Sequence, residues 1–211
     1  DISGWNVSNV TDMGNMFLNA SSFNRYIGDW NVSNVTSMNS MFKNTPFNQY
    51  IGDWNVTNVI FMNNMFNDSS FNQPLEDWNV SNVSQMVYMF LNSPFNQEIR
   101  VWDVSSNAVL VDMFLNAPIM TTYSVTATPP LSFFVTPLTD TNINSAVNEW
   151  INNPSDSIFI DPTNNPFYDT IDKWYVDRVT NMAGLFANRE HFNDDISGWN
   201  VSNVTDMGNM F

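Results

Sequence analysis

The sequence contains no cysteine. That excludes a disulfide framework, a thiolate metal site and a cysteine nucleophile. Basic residues are scarce too: 6 Lys and Arg stand against 21 Asp and Glu, a formal net charge of −15. Phosphate backbones and anionic membrane surfaces are held by clustered Lys and Arg, so neither nucleic acid nor a bare anionic membrane is an expected partner. The one histidine, His191, lies in a loop insertion beside Arg189 and Glu190, and no nucleophile pattern accompanies it. A single histidine rules out the two-histidine metal motifs, and no Gly-rich phosphate loop is present. No apolar run approaches the ~18 residues of a membrane span. An enzyme is not expected.

Aromatic mass and repetition fill the space left by these absences. Hydrophobic residues make up 43% of the chain and aromatic residues 15%, enough for a core and too much for a disordered chain. Residues 1–17 read DISGWNVSNVTDMGNMF, and residues 195–211 repeat them without a change, at an offset of 194. The identity predicts a parent polypeptide of tandem 194-residue modules. A shorter period lies inside the long one. Trp5, Trp30, Trp54, Trp78, Trp102, Trp174 and Trp199 recur at a spacing of about 24 residues, tripled between Trp102 and Trp174. That makes about eight turns, with a period in the range of stacked-repeat folds. A unit of this size cannot bury its own apolar face and must stack on its neighbours.

The turn Ile27 to Tyr50 shows the expected layout. Ile27, Trp30 and Val32 alternate as a short inward-facing strand, with Asn31 and Ser33 outward. Ser33-Asn34 supplies turn chemistry, and Val35 returns to the core. Met38, Met41 and Phe42, at i, i+3 and i+4, predict one face of a two-turn helix, which Asn44-Thr45-Pro46 ends. The columns recur along the chain. Trp30, Trp54 and Trp78 and the helix-closing Phe42, Phe66 and Phe90 are the expected structural core. The paired Met columns fit flexible core packing better than soft-metal binding. The fold class expected is therefore α/β, a solenoid of short strands and short helices with turns about 4.8 Å apart.

Four segments follow. Residues 1–117 read as the array closing one module. Residues 118–137 lose the pattern; Leu131 to Val135 predicts an edge strand, and the segment reads as a C-terminal cap and linker. Residues 138–170 read as the N-terminal cap of the next module. There Asp140-Thr141-Asn142 starts a helix whose apolar face is Ile143, Ala146, Val147, Trp150 and Ile151, and Ile158, Phe159 and Ile160 suggest a strand. Residues 171–211 restart the array.

The motif WNVSNVTDM, followed by MF and then FN, resembles the BspA-like repeats of roughly 25 residues found in bacterial surface proteins and in Listeria and Mycoplasma lipoproteins. The units 1–23, 25–47, 50–71, 75–95, 171–192 and 195–211 carry it best, and 99–119 is a degraded copy. The resemblance implies a leucine-rich-repeat-like solenoid and a secreted or surface-exposed protein, in many cases adhesive. It implies no catalytic residues.

Candidate sites are few. Asp29, Asp53 and Asp77 precede Trp on successive turns and should stack in one column. Closely spaced carboxylates repel, and a bound cation such as calcium would relieve that; a solvated acidic stripe is the plainer alternative. Glu76 and Arg100 are expected to pair across turns. The recurrent Asn residues create glycosylation sequons, but the same spacing serves ladders that satisfy turn backbones. No cofactor is implied beyond that calcium. The function expected is structural: a long extracellular or cell-surface fibre, filament or stalk whose partner is itself, head to tail and in lateral association. The alternative is an adhesin whose outward Asn31, Ser33, Asn55, Thr57, Asn79 and Ser81 recognise a glycan or a host protein.

Overall fold

The computed structural model describes residues 2–134, 138–152 and 171–211. The chain forms two compact units, Asp1–Phe134 and Val135–Phe211.

Unit 1 is a stack of chain turns, and the hydrogen bonds that hold it run between turns. The N–H groups of Met38, Ser40, Phe42 and Asn44 donate to the carbonyls of Phe61, Asn63, Met65 and Asn67 on the next turn, at 2.8–3.0 Å. Met62, Asn64, Phe66 and Asp68 repeat this toward Gln85, Val87, Met89 and Leu91. In the opposite sense Ile60 N–H reaches Thr36 O, and Ser84 N–H reaches Ile60 O.

These bonds overturn the expected solenoid of strands and helices. The Met-x-x-Met-Phe segment is not helical. It is a run of tight turns in which Met41 N–H bonds Met38 O and Lys43 N–H bonds Ser40 O. Left-handed residues interrupt it twice per turn. One column is Asn15, Ser40, Asn64, Tyr88, Asp112, Gly184 and Asn209; the other is Asn19, Asn44, Asp68, Asn92, Asn116 and Asn188, all at φ of +49 to +68°. A helix does not pass through such residues, whereas a turn with positive φ at its third position requires one, and Asn, Asp and Gly tolerate it best. The apolar spacing i, i+3, i+4 is shared by a helix and by this turn run, so the pattern alone did not separate them. Nor is Trp-x-Val a strand. Trp30 N–H bonds Ile27 O, and Val35 N–H bonds Val32 O, each closing a turn. Among the described residues, extended pairing is limited to single parallel bridges, Asp12–Ser37–Phe61–Gln85–Val109 in unit 1 and Asn181–Asp206 in unit 2.

The core columns lie where the period puts them. Trp30, Trp54, Trp78, Phe42, Phe66 and Phe90 are buried. Phe66 stacks between Phe42 and Phe90, with ring centroids at 5.7 and 5.6 Å, and on Phe71 of its own turn at 4.0 Å. Each indole N–H donates to a carbonyl of the preceding turn: Trp54 to Ile27, Trp78 to Ile51 and Trp102 to Leu75. The column therefore joins turns by both ring contact and hydrogen bond.

Past residue 117 lies α1 (Ile119–Thr122), and a 3-10 turn at Leu131–Phe133 stands where the edge strand was expected to begin; Val135, its expected end, lies outside the described residues. Residues 127–128, between these two elements, complete the last turn of the ladder: Phe114 N–H donates to Ala127 O and Asp112 N–H to Thr128 Oγ1.

Unit 2 contains α2 (Ile143–Asn152), whose Ile143, Ala146, Val147 and Trp150 are buried in one cluster with Trp174, Val176, Met182 and Phe186. Before α2, Asp140 accepts from Thr180 N–H, Thr180 Oγ1 and Asn181 N–H at 2.6–2.9 Å. In the ladder the amide at this position bonds the preceding turn, as Thr36 N–H does to Thr11 O and Thr205 N–H to Thr180 O. Asp140 thus supplies the acceptor that a preceding turn would. The strand expected at Ile158–Ile160 lies outside the described residues.

Candidate functional site

The surface that changes least from turn to turn carries asparagine. Asn31, Asn55 and Asn79 are exposed, and each carbonyl oxygen accepts from the backbone two residues on, at Ser33, Thr57 and Ser81, at 3.1 Å. Next to them Asn34, Asn58 and Asn82 each donate a side-chain N–H to the turn below, to Ser8 O, Ser33 O and Thr57 O, at 2.7–2.8 Å. A second ladder runs through Asn24, Asn48 and Asn72, whose side-chain oxygens receive the N–H of Asn48, Asn72 and Asn96 at 2.9–3.0 Å. Of the expected grid, Asn31, Asn55 and Asn79 are exposed and Ser33, Thr57 and Ser81 half-buried, and every Asn in it is held by its own backbone.

Asp29, Asp53 and Asp77 are all exposed. Asp29 accepts from Tyr26 Oη and Asp53 from Tyr50 Oη, both at 3.0 Å. Among the described residues no three acidic or histidine side chains converge on a metal-sized space. The tyrosine partners were not anticipated. A Cβ added to Gly28 or Gly52 would come within 2.7 Å of the ring of Tyr26 or Tyr50, so glycine is what lets each ring fold back onto its aspartate. The Tyr-x-Gly-Asp spacing at 26–29 and 50–53 was the available signal. The hydrogen bond to Asp29 raises the Tyr26 hydroxyl above the ordinary tyrosine value. Burial, then the bond to Asp53, pushes Tyr50 up to about 12.

Glu76 and Arg100 do not form the pair expected of them. Arg100 instead grips Glu98 two residues back, with Nη2 to Oε2 at 2.6 Å and Nε to both carboxylate oxygens. Its guanidinium lies 4.5 Å over the Tyr123 ring. An i, i+2 pair is closer than a cross-turn pair and leaves the guanidinium face free for the aromatic. Burial, then the Glu98 charge, raises the Tyr123 hydroxyl.

In unit 2 a cavity of about 480 Å³ lies between the end of α2 and the loop at 188–194, lined by Trp150, Arg189, His191, Phe192 and Asp194 among others. Trp150 Nε1 donates to Asp194 Oδ2 at 2.8 Å, and Arg189 donates to Asn148 Oδ1. His191 is exposed, and among the described residues no hydroxyl side chain lines the cavity. The described lining brings a cation, an imidazole and an aromatic edge together.

Geometry and sequence together define a repeat protein whose unit is a hydrogen-bonded turn of about 24 residues. The chain belongs to the Mycoplasma protein family of unknown function DUF285, whose model matches residues 1–93, 43–125 and 139–211. No curated protein and no solved structure matches it. Among the described residues no helix is long and apolar enough to cross a membrane.

Proposed function

We propose that this chain is part of a structural surface protein in which 194-residue modules follow one another in a single polypeptide and build a long extracellular fibre or stalk. The observation that carries this reading is the identity of residues 1–17 with 195–211, joined to two ladders, one completed in unit 1 by residues 127–128 and one completed in unit 2 by Asp140. Such a module is a self-contained spacer that lengthens a polypeptide by repetition. The resemblance to BspA-like surface repeats supports a place outside the cell. The polar side chains are spent on backbone ladders, which suits a scaffold rather than a catalyst. The partner on this reading is the protein itself, along the chain and between neighbouring fibres.

A second reading has its own support in the exposed Asn31, Asn55 and Asn79. Its amides repeat once per turn in fixed orientations, an arrangement suited to a polymeric ligand such as a glycan or to a host protein. The denatured mass of the native protein from its source separates the two. A mass many-fold above the 24.2 kDa of this chain, rising in steps of one module, supports the fibre. A mass equal to that of this chain alone removes the fibre and leaves the ligand-binding module.

A further inference from the structure

Six glycosylation sequons, Asn-x-Ser or Asn-x-Thr, lie between residues 25 and 95, in turns flanked by a neighbour on both sides. They begin at Asn31, Asn34, Asn55, Asn67, Asn79 and Asn82. The motif treats all six alike, and the fold does not. Asn67 is 3% exposed, and its Nδ2 donates to Asn64 Oδ1 at 2.7 Å. Asn34 and Asn82 reach the surface, yet each amide nitrogen is engaged by the turn below, donating to Ser8 O and Thr57 O at 2.7 and 2.8 Å. Asn31, Asn55 and Asn79 reverse this arrangement. All three are exposed, their oxygens are the bonded atoms, and Nδ2 has no partner among the described residues. The bond to each oxygen comes from the N–H of the residue that completes the sequon, at 3.1 Å, and Ser81 Oγ adds a second to Asn79 at 2.8 Å. The oxygen is held inside the turn, and the nitrogen is left to solvent.

We propose that Asn31, Asn55 and Asn79 are N-glycosylation sites, and that Asn34, Asn67 and Asn82 stay bare in the folded protein. The proposal rests on the reading of the chain as extracellular, since the sugar donor is met on the secretory route. In the transfer, Nδ2 bonds to the anomeric carbon of a lipid diphosphate-linked oligosaccharide. The bond from that carbon to the diphosphate oxygen breaks, the diphosphate leaves with the electron pair, and the amide gives up one proton. A glycan on Asn31, Asn55 or Asn79 projects into water and leaves the bond to Oδ1 in place. On Asn34 or Asn82 it would replace a hydrogen on a nitrogen that packs against the turn below and would wedge the two turns apart. On Asn67 it would have to be buried, with polar groups removed from water. Neighbouring turns are about 5 Å apart, so glycans in this column crowd one another, and partial occupancy of the three sites is expected. Such a stripe keeps one face hydrated and confines contacts between neighbouring fibres to the remaining surface.

The test is peptide mass mapping of the full 211-residue chain, secreted in folded form from a cell that performs N-glycosylation. Glycan should be found at Asn31, Asn55 and Asn79 and not at Asn34, Asn67 or Asn82. Ser33→Ala, Thr57→Ala and Ser81→Ala each remove the sequon hydroxyl and keep the backbone bond to the asparagine. Each should abolish glycan at its own site, with tryptophan fluorescence showing the fold intact. Ile60→Thr is the sharper variant. Ile60 is 39% exposed in the column where Thr36 already stands one turn earlier, so the substitution suits the fold. It completes a sequon at Asn58, whose Nδ2 donates to Ser33 O at 2.8 Å, and Asn58 should still be bare. Bare amides at Asn31, Asn55 and Asn79 overturn the proposal. So does a glycan on Asn34 or Asn82, or on Asn58 of the Ile60→Thr chain. The host supplies the secretory route, so these outcomes judge the sites themselves, whereas the denatured mass of the native protein judges the tandem fibre.

Discussion

At the scale of single residues the columns are unequal in what they hold. Phe66 is fully buried and touches rings on three sides, so Phe66→Ala removes its transfer energy and leaves a cavity between turns. The expected loss is about 3–5 kcal/mol, read from urea unfolding; a midpoint equal to the wild type's would contradict the column assignment. Asn67 is a misfit in its column, where the other turns of unit 1 carry Leu18, Lys43, Leu91 and Leu115. It is 3% exposed, and its side-chain oxygen lacks a partner. Asn67→Leu should stabilise the chain by about 1 kcal/mol, because a buried unsatisfied acceptor costs roughly that; a lower thermal midpoint for the variant would refute this. Tyr50 gives a pH signature. Its folded value lies above the ordinary one, so its contribution is complete below pH 10 and is lost as pH rises from there through about 12. An ultraviolet titration should show Tyr50 among the late-ionising tyrosines, and Gly52→Val, which displaces the ring, should reduce that late component.

At the scale of the element, the unit of this molecule is neither a helix nor a strand. The period, the core columns and the helix α2 were readable from Trp and Phe spacing and from the Ile143-to-Trp150 pattern. The conformation inside the turn was not, because Met38, Met41 and Phe42 fall on one side of a helix and equally on one side of consecutive turns. The deciding residues were the polar ones. Asn44, Asp68, Asn92 and Asn116 occupy one left-handed column, and a column of Asn or Asp two residues after each Phe is a turn signal that helix spacing overlooks. Tyr88 in the other left-handed column hides that signal further, since its side chain suits the position poorly. The site was less legible than the fold. Three aspartates in one column suggested a cation, whereas the geometry gives two of them tyrosine hydroxyls within their own turns.

Asp140 belongs to this scale as well, since it stands in for a whole missing turn. Its bonds to Thr180 and Asn181 hold the carboxyl below the ordinary carboxylate value. The stability it contributes is therefore present above that value and is lost as pH falls through the lowered one. Asp140→Ala should reduce the thermal midpoint at neutral pH and flatten the acid limb of the stability profile. An unchanged acid limb would show that Thr180 and Asn181 find another acceptor.

At the scale of the whole molecule, stability is carried by neighbouring turns, and the chain resembles a one-dimensional array with specified ends. Residues 127–128 complete the ladder of unit 1, and Asp140 completes that of unit 2. Both depend on the bonds of each turn running outward to the next turn, which is the claim on which the fibre and the caps rest. Far-ultraviolet circular dichroism of the folded chain tests it most directly. If the claim holds, the repeated turns contribute no helical signal, although the protein unfolds cooperatively. A spectrum with strong helical minima, as two-turn helices in every repeat would give, would restore the strand-and-helix turn and contradict this account.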